Sequence, residues 1–340
     1  MGNFVTVSDI ARQLGISHST VSRALKDNPR ISKSTTEKVK KLADQLGYRT
    51  NASSHHLLKG KSQLIGVIVP DISLHFFAKV VDQIEQILNE AGYVVLLLNT
   101  QESEQKEKKA IEKCLNYRVD GVIAALSIQT KKFDHYEKLL KYDIPLVFYD
   151  RVANFLPVPK VILNDYQGSY DATKHLCEVG CKTIAHISGS INLNNSNNRL
   201  YGYIDALNDH KIKLDEKLIH YQEEDKESTK QFLNKIFKSH PSLDGLSVFN
   251  DYVANYSINI LQELGKKIPD DIVVIGFSDE PVATYMEPQL SSTQQVGPKM
   301  GKLASQKLLS LIRGDETMQN EKIIIKPEIV VRASTKRKQN

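Results

Sequence analysis

Residues 16–25 read ISHSTVSRAL, a short segment crowded with small hydroxyl side chains and followed by the basic stretch KDNPR. A helix that serves only for packing would show larger apolar residues. A helix that only faces water would pair Glu with Lys four positions apart. The segment therefore indicates a helix whose polar face contacts a partner.

This segment lies in the middle of three short helical patterns. In TVSDIARQLG, residues 6–15, the apolar side chains share one face of a helix that ends at Gly15. Ser17 is placed to cap the second helix. A third helix begins either at Ser32 or at a capping box in STTE, residues 34–37.

The spacing of small residues identifies the unit. Ala11, Gly15 and Val21 match the A-x₃-G-x₅-V pattern that lets two helices cross closely at a glycine turn, as in a helix-turn-helix. The second helix of such a unit enters the major groove of DNA with its N-terminal residues foremost. We therefore expect His18 and Ser19 to lead into the groove.

Arg23 lies one turn further along and can fork onto a guanine. A phosphate contact or a surface salt bridge is the alternative for this arginine. The hydroxyl groups are expected to act mainly as caps or phosphate ligands. The predicted DNA-binding residues of the headpiece are Thr6, Ser17, His18, Ser19, Thr20, Ser22 and Arg23.

Charge is divided unevenly along the chain. Residues 1–61 hold eleven Lys and Arg against four Asp and Glu, a net charge of +7. The whole chain has 45 basic and 40 acidic residues, so the other positions hold 34 and 36, a net charge of −2. A basic segment on a nearly neutral body favours a polyanionic partner for that segment, although a hydrated lysine-rich surface has the same composition.

Other classes of protein lack their expected signals. The longest apolar runs, VVLLL and VIAAL, are far shorter than the roughly 18 residues of a membrane span, which predicts a cytoplasmic protein with no membrane partner. Cys114, Cys177 and Cys181 lack zinc or redox spacing, so we expect reduced thiols and no metal site. The chain carries no dinucleotide fingerprint, nucleophile elbow, H-E-x-x-H or phosphate loop, which argues against an enzyme.

The rest of the chain alternates between buried strands and amphipathic helices. Runs such as LIGVIV, GVIAAL and IVVIGF are apolar throughout, as expected of strands buried on both faces. Segments of helical period, such as FFAKVVDQIEQILNEAG, separate them. This alternation predicts parallel, doubly wound sheets, with too many strands for one short sheet.

Several blocks together resemble the lactose/galactose repressor (LacI/GalR) family of bacterial transcription regulators. Their order and spacing match that family over essentially the whole chain. The blocks are VTVSDIARQLGISHSTVSRALKDNPRISKSTTEKVKKLADQLGYRTNA, LIGVIVPDISLHFFAKVVDQIE, VDGVIAAL, IPLVFYDR, NRLYGYIDAL, VFND, IPDDIVVIGFSDEP and PEIVVRAST.

The resemblance implies an all-α helix-turn-helix headpiece plus an α/β core like the periplasmic binding proteins, with two doubly wound parallel-sheet subdomains. The implied divisions are a headpiece at 1–50, a hinge helix or linker at 51–61, a core at 62–340, an N-subdomain of about 62–162 and 292–324, and a C-subdomain of about 163–291 and 325–340. Ligands of such open sheets lie at the carboxyl ends of the strands.

In this family the hinge becomes a short helix on the operator and inserts a leucine into the minor groove. The resemblance places that leucine at Leu57 and adds Asn51 and Ser54 to the expected DNA contacts. The chain departs from the family pattern at Thr50, Ser54 and Leu58, which leaves the preferred central base step open.

The resemblance also implies a cleft for a small-molecule effector, most simply a sugar or sugar derivative, and no cofactor. Many sugar-responsive relatives have two acids after GF, whereas this chain reads GFSDE and has Ser278 at the first position. A nucleobase, another small metabolite or loss of ligand response therefore stays open. The expected effector-binding residues are Phe76, Phe77, Asp150, Arg199, Asn250, Asp251, Ser278, Asp279 and Gln295.

The sequence is thus interpreted as that of a ligand-responsive, nucleoid-associated regulator, most simply a repressor that binds palindromic operator DNA as a homodimer. The chain stops soon after VVRAST, with no leucine-heptad helix for a tetramer. Effector binding would change the closure of the subdomains and the pairing of the hinges, with either sign of coupling. The alternative is an activator or pleiotropic regulator that responds to a non-sugar metabolite or a protein co-effector.

Overall fold

The computed structural model describes residues 5–48, 61–221, 225–315, 317 and 319–337. Contacts divide the chain into two units, Met1–Lys61 and Ser62–Asn340. We call them the headpiece and the core.

Within its described residues, 5–48 and Lys61, the headpiece has three helices around a small apolar centre. The helices are α1 Val7–Leu14, α2 His18–Ala24 and α3 Lys33–Gln45. Gly15 ends α1 in the left-handed conformation with φ of 63°, and Ser32, rather than the STTE segment, caps α3. The fully or nearly buried residues are Ile10, Ala11, Val21, Ala24, Val39 and Ala43.

Strands and α-helices mostly alternate along the core. In chain order its elements are β1 Leu64–Val69, α4 His75–Glu90, β2 Val94–Asn99, α5 Glu104–Asn116, β3 Gly121–Ala124, α6 Asp134–Lys141, β4 Leu146–Tyr149, β5 Lys160–Leu163, α7 Asp165–Glu178, β6 Ile184–Ser188, α8 Asn194–Asp209, β7 Ile219–Tyr221, α9 Lys226–Ser239, β8 Gly245–Val248, α10 Asp251–Glu263, β9 Val273–Ser278, α11 Val282–Tyr285, β10 Ser291–Gln294, α12 Gly297–Arg313, β11 Lys322–Ile325 and β12 Glu328–Val330.

The strands form two six-stranded sheets, which define two lobes. The N-lobe sheet has the order β11-β5-β4-β3-β1-β2, and the C-lobe sheet has the order β12-β10-β9-β8-β6-β7. The chain passes from the N-lobe to the C-lobe after β5, returns after β10, and crosses again between β11 and β12. Both sheets therefore contain the doubly wound 2-1-3-4-5 arrangement, whose ligands lie at the carboxyl ends of the central strands.

The predicted fold class is confirmed, with one departure. All strand pairs of the N-lobe are parallel, but β12 runs antiparallel to β10 at the edge of the C-lobe sheet. Because only Lys326 and Pro327 separate β11 from β12, the chain enters the C-lobe directly as an edge strand, without the crossover helix that a parallel strand needs.

Candidate functional site

Helix α2 presents a polar face on the headpiece. Val21 and Ala24 turn inward and are fully buried, whereas His18, Ser19 and Arg23 are exposed. This division follows from the helical period, which places the apolar residues three positions apart on the side that faces α1 and α3.

Two of the predicted DNA-binding residues are helix caps. Thr6 begins α1 in a capping box: its hydroxyl donates to Asp9 Oδ2 at 2.6 Å, and its backbone N–H donates to the same oxygen at 2.9 Å. These bonds hold the pKa of Asp9 below its ordinary value. Ser17 Oγ accepts from the backbone N–H of Thr20 at 3.1 Å and lies 2.9 Å from Ser19 Oγ.

Two other predicted DNA-binding residues of α2, Thr20 and Ser22, are half-buried. His18, Ser19 and Arg23 are exposed, as are the two capping residues Thr6 and Ser17. The remaining predicted DNA contacts, Asn51, Ser54 and Leu57, and the predicted hinge itself lie outside the described residues.

In the core, a small cavity lies between the carboxyl ends of the strands of the two lobes. Its volume is about 60 Å³, far below the roughly 300–1,000 Å³ of a typical ligand pocket. Seven predicted effector residues line it: Phe76, Phe77, Asp150, Arg199, Asn250, Ser278 and Gln295. Other lining residues, which sequence reasoning missed, are Leu74, Arg151, Leu193, Asn195, Ser196, Phe249, Tyr252 and Glu280.

Arg199, on α8, is held firmly at one side of the cavity. Its guanidinium donates to Asp165 Oδ1 from Nε at 2.9 Å and lies 2.8 Å from the same oxygen through Nη2. Nη1 donates to the carbonyl of Phe249 at 2.5 Å, and the group stacks 3.6 Å from the ring centre of Phe277. Arg199 is only 4% exposed, so its geometry is fixed before any ligand enters.

A chain of hydrogen bonds connects the lobes across the cavity. Ser278 Oγ donates to Gln295 Oε1 at 2.7 Å, and Gln295 Nε2 donates to Asp150 Oδ1 at 3.2 Å. Asp150 is 3% exposed, and burial raises its pKa to about 6 even though Arg151 lies 3.9 Å away. The hydroxyl of Ser278 is thus engaged within the protein.

The last two predicted effector residues do not reach the cavity. Asp251 is fully buried beneath the strand ends, where its carboxylate accepts from Ser292 Oγ and from the backbone N–H of Glu280, both at 2.7 Å. Burial raises its pKa to about 7. Asp279 turns away from the cavity and contacts the guanidinium of Arg332 at 2.7 Å.

The backbone at the cavity is strained at several strand ends. Asp150, after β4, has φ of 54°, and Ser278 and Asp279, at the end of β9, have φ of 112° and 52°. Left-handed conformations of residues other than glycine cost about 1–3 kcal/mol and concentrate at functional sites. They turn the chain so that Ser278 and Glu280 line the cavity, while Asp279 does not.

The sequence contains a signal for two of the cavity residues that were not predicted, Arg151 and Glu280. Arg151 directly follows Asp150, and Glu280 directly follows the Ser278–Asp279 pair at which the chain departs from the family pattern. A polar residue next to a strand end is a candidate in its own right, because the turn after the strand decides which neighbour faces the cleft.

Two further classes of site are absent from the described part of the chain. Among these residues, no helix has the length and apolarity needed to cross a membrane. Within the same residues, no group of three or more His, Cys, Asp or Glu side chains is placed to hold a metal ion.

Comparison with known families accounts for both units. Residues 6–51 match the model described as bacterial regulatory proteins, lacI family, and residues 62–333 match the model of periplasmic binding proteins and the sugar binding domain of the LacI family. The chain belongs to the LacI family. Its relatives and its fold are those of DNA-binding transcriptional regulators, not of enzymes.

Individual LacI-family proteins align over nearly the full length. The transcriptional regulator DegA of Bacillus subtilis is 30% identical over 97% of this chain and 98% of its own. The transcriptional repressor PurR of Vibrio atlanticus is 32% identical over 97% and 98%. Among solved structures, a complex of the transcriptional regulator CelR with cellobiose has a TM-score of 0.74 at 25% identity, covering 97% of this chain and 99% of that one.

Proposed function

We propose that this LacI-family protein is a repressor that binds palindromic operator DNA as a homodimer and responds to a sugar or sugar derivative bound in the core cleft. The observation that carries the proposal is the separation of two sites. Helix α2 exposes a polar face on a basic headpiece, and the core has a cavity lined by polar side chains together with Phe76 and Phe77.

Similar proteins support a sugar effector. The CelR structure contains cellobiose, and a LacI-type regulator from Alkaliphilus metalliredigens, 26% identical, is described as complexed with D-xylulofuranose. Hydroxyl groups suit the donors and acceptors of Asn250, Gln295 and Arg199, and an apolar ring face suits Phe76. DNA binding also implies action at the nucleoid, in the cytoplasm.

We infer that the effector acts by changing the closure of the lobes. Hydrogen bonds cross between the lobes from Gln295 to Asp150 at 3.2 Å, from the backbone of Val152 to Asn194 at 3.2 Å and from the backbone of Phe76 to Glu280 at 3.3 Å. Because the cavity is too small for a monosaccharide, the lobes must separate to admit one. Ligand occupancy and lobe position are therefore linked, and through the dimer they reach the hinges.

A second function is favoured by one observation. Ser278 donates its hydroxyl to Gln295, so the position where many relatives have an acid offers no carboxylate to a sugar. An activator or pleiotropic regulator that responds to a non-sugar metabolite or a protein co-effector would fit this feature.

The DNA-binding proposal is tested with Arg23→Ala. An operator selected from random duplexes should be palindromic, and the variant should lose about 1–3 kcal/mol of binding and its discrimination at one base pair of each half-site. Competition binding with single-base variants of the operator measures this loss. Arg12→Ala, which removes the same charge from α1, should weaken all sequences alike; equal loss of discrimination in both variants would contradict base contact by Arg23.

The effector proposal is tested by thermal shift with sugars, sugar phosphates and nucleobases, since a ligand stabilises the native state in proportion to RT ln(1 + [L]/Kd). Stabilisation by one sugar class, followed by a change in operator affinity, is the expected result. A nucleobase that alone stabilises the protein would favour the second function. Light scattering at micromolar concentration should show a dimer, and a stable tetramer would contradict the assembly.

A further inference from the structure

Glu280 bridges the two lobes of the core. It follows β9 in the C-lobe and is 4% exposed. Its Oε1 accepts from the backbone N–H of Phe76, at the start of α4 in the N-lobe, at 3.3 Å. Leu74 occupies the N-cap of α4 and makes no side-chain cap bond. Glu280 therefore supplies, from the opposite lobe, the acceptor that this helix end needs.

The second oxygen of the carboxylate is available to a ligand. Glu280 lines the cavity, and its Oε2 is buried and accepts no hydrogen bond from the described residues. A buried acceptor without a donor is costly to the folded protein, and burial raises the pKa of this carboxyl group. A hydrogen-bond donor that enters the cavity would remove that cost.

The buried carboxylate of Asp251 holds the backbone of Glu280 in place. Its N–H donates to Asp251 Oδ2 at 2.7 Å, and the other oxygen of Asp251 accepts from Ser292 at 2.7 Å. Asp251 is fully buried, so this support does not depend on solvent. The carboxylate of Glu280 is thus held in place before a ligand binds, which is the usual requirement for selectivity.

The charges around the cavity favour a donor over an anion. The guanidinium groups of Arg151 and Arg199 each contact a carboxylate that does not line the cavity, at 2.7 and 2.8 Å. Asp150 and Glu280 add two more carboxylates that do line it. An anionic group would meet an excess of negative charge in a region with little solvent.

We propose that Glu280 is the specificity-determining acid of this cleft: Oε1 holds α4 in the closed core, Oε2 binds a hydroxyl or ammonium donor of the effector, and the effector is a polyol without an anionic group. This inference rests on the proposed effector site. Glu280 thus supplies the carboxylate that Ser278 does not, and it couples ligand contact to lobe closure through a single side chain.

The ligand class is tested by calorimetry of the full chain with pentoses, hexoses and disaccharides, each beside its amino and phosphate derivatives. Neutral or amino members should bind at least about tenfold more tightly than the phosphate of the same sugar. A phosphate that binds more tightly than its parent sugar would overturn the inference and leave the effector site standing. Binding by no member of the panel would overturn both the sugar effector and this ligand class.

Two substitutions separate the roles of the two oxygens. Glu280→Gln keeps an acceptor for the Phe76 amide but removes the charge, so it should bind an amino sugar about tenfold more weakly. Glu280→Ala removes both functions. Glu112→Gln removes the same charge at an exposed pair with Lys138 and is the matched control, with unchanged binding expected.

Hydrogen exchange of the Phe76 amide gives a readout that needs no ligand. Exchange should accelerate about tenfold or more in Glu280→Ala and stay near the wild-type rate in Glu280→Gln. Unchanged exchange in Glu280→Ala would overturn the interlobe role of Glu280. Wild-type affinity for the bound sugar in both Glu280 variants would overturn its role in specificity.

Discussion

The headpiece and the core place acidic side chains in opposite environments. Asp9 lies near the surface of the headpiece, where hydrogen bonds from Thr6 lower its pKa. In the core, Asp150 and Asp251 are buried, and burial raises the pKa of these groups to about 6 and about 7. The first carboxylate stabilises its helix by being charged, whereas the other two are costly to keep charged.

This difference reflects how each region is assembled. The helix-capping bonds of the headpiece are local, such as those of Thr6–Asp9 and Ser17–Thr20, each over three residues. The cavity depends on contacts between distant parts of the chain, such as the one that brings Gln295 to Asp150. Local capping leaves the polar face of α2 exposed, while long-range packing can enclose charged groups.

The largest expected effect is that of Arg199→Ala. It leaves Asp165, which is 2% exposed, without its cation, and removal of one partner of a buried pair costs about 3–5 kcal/mol. Urea unfolding of the full chain, followed by tyrosine fluorescence, measures the loss, and hydrogen exchange locates it. Adding Asp165→Asn should restore much of the stability. An equal loss of hydrogen-exchange protection in residues 5–48 would show that the destabilisation is not confined to the core, which would contradict the difference between the two regions.

Two glycines, Gly202 in the core and Gly15 in the headpiece, extend the comparison of the two regions. A Cβ on Gly202 would lie 2.2 Å from the carbonyl oxygen of Tyr166, a backbone atom that no rotamer change can move, so Gly202→Ala should cost about 3 kcal/mol. Gly15, with φ of 63°, has no atom within 4 Å of that position, so Gly15→Ala should cost only about 1–2 kcal/mol from backbone strain.

Asparagine at each site separates the two causes, because Asn tolerates the left-handed conformation but needs space. Gly15→Asn should be milder than Gly15→Ala, and Gly202→Asn should be at least as harmful as Gly202→Ala. Denaturant midpoints with hydrogen exchange provide the test. The reverse order at Gly15 would show that crowding, not backbone conformation, limits the headpiece turn.

The smallest effect is on the pH dependence of stability. The raised pKa of Asp150 means that, between about pH 4 and pH 6, the folded protein binds more protons than the unfolded chain, so its contribution to stability is lost as pH rises through that range. Asp150→Asn should remove about 1–3 kcal/mol of this dependence. The lowered pKa of Asp9 has the opposite sign, and its contribution is lost as pH falls.

Hydrogen exchange at several pH values, corrected for the intrinsic exchange rate, measures the stability of both regions in one sample. Unfolding at the same pH values gives the stability of the whole chain. The wild-type core should gain stability relative to the headpiece on acidification from pH 7 to pH 5. A pH dependence of the core that is unchanged in Asp150→Asn would show that the buried carboxyl group does not titrate in this range.

Much of the fold was predictable, because it follows from local patterns of apolar residues in the sequence. The apolar run LIGVIV became β1, and IVVIGF became most of β9. Strands β5, β7, β10, β11 and β12 were not read from such runs; they are three or four residues long, and β10 reads SSTQ. A strand of three or four residues is too short to show a period of its own, and its neighbours in the sheet decide its state.

The cleft was predictable only in part. Arg199 and Phe76 reach the cavity as expected. Asp251 was expected there because it follows a strand end, but it turns inward as the support for Glu280. Ser278 was expected as the weaker replacement for an acid, and the structure shows its hydroxyl bound to Gln295.

The sequence by itself determined the three helices of the headpiece, the alternation of strands and helices in the core, and membership of the LacI family. These follow from caps, periodicity and motif order, which act between residues close in the chain. Tertiary structure alone decided which acid after GF faces the cleft. The left-handed turns at Ser278 and Asp279 change the direction of successive side chains, and the packing of Asp251 and β10 beneath them supports that strained backbone.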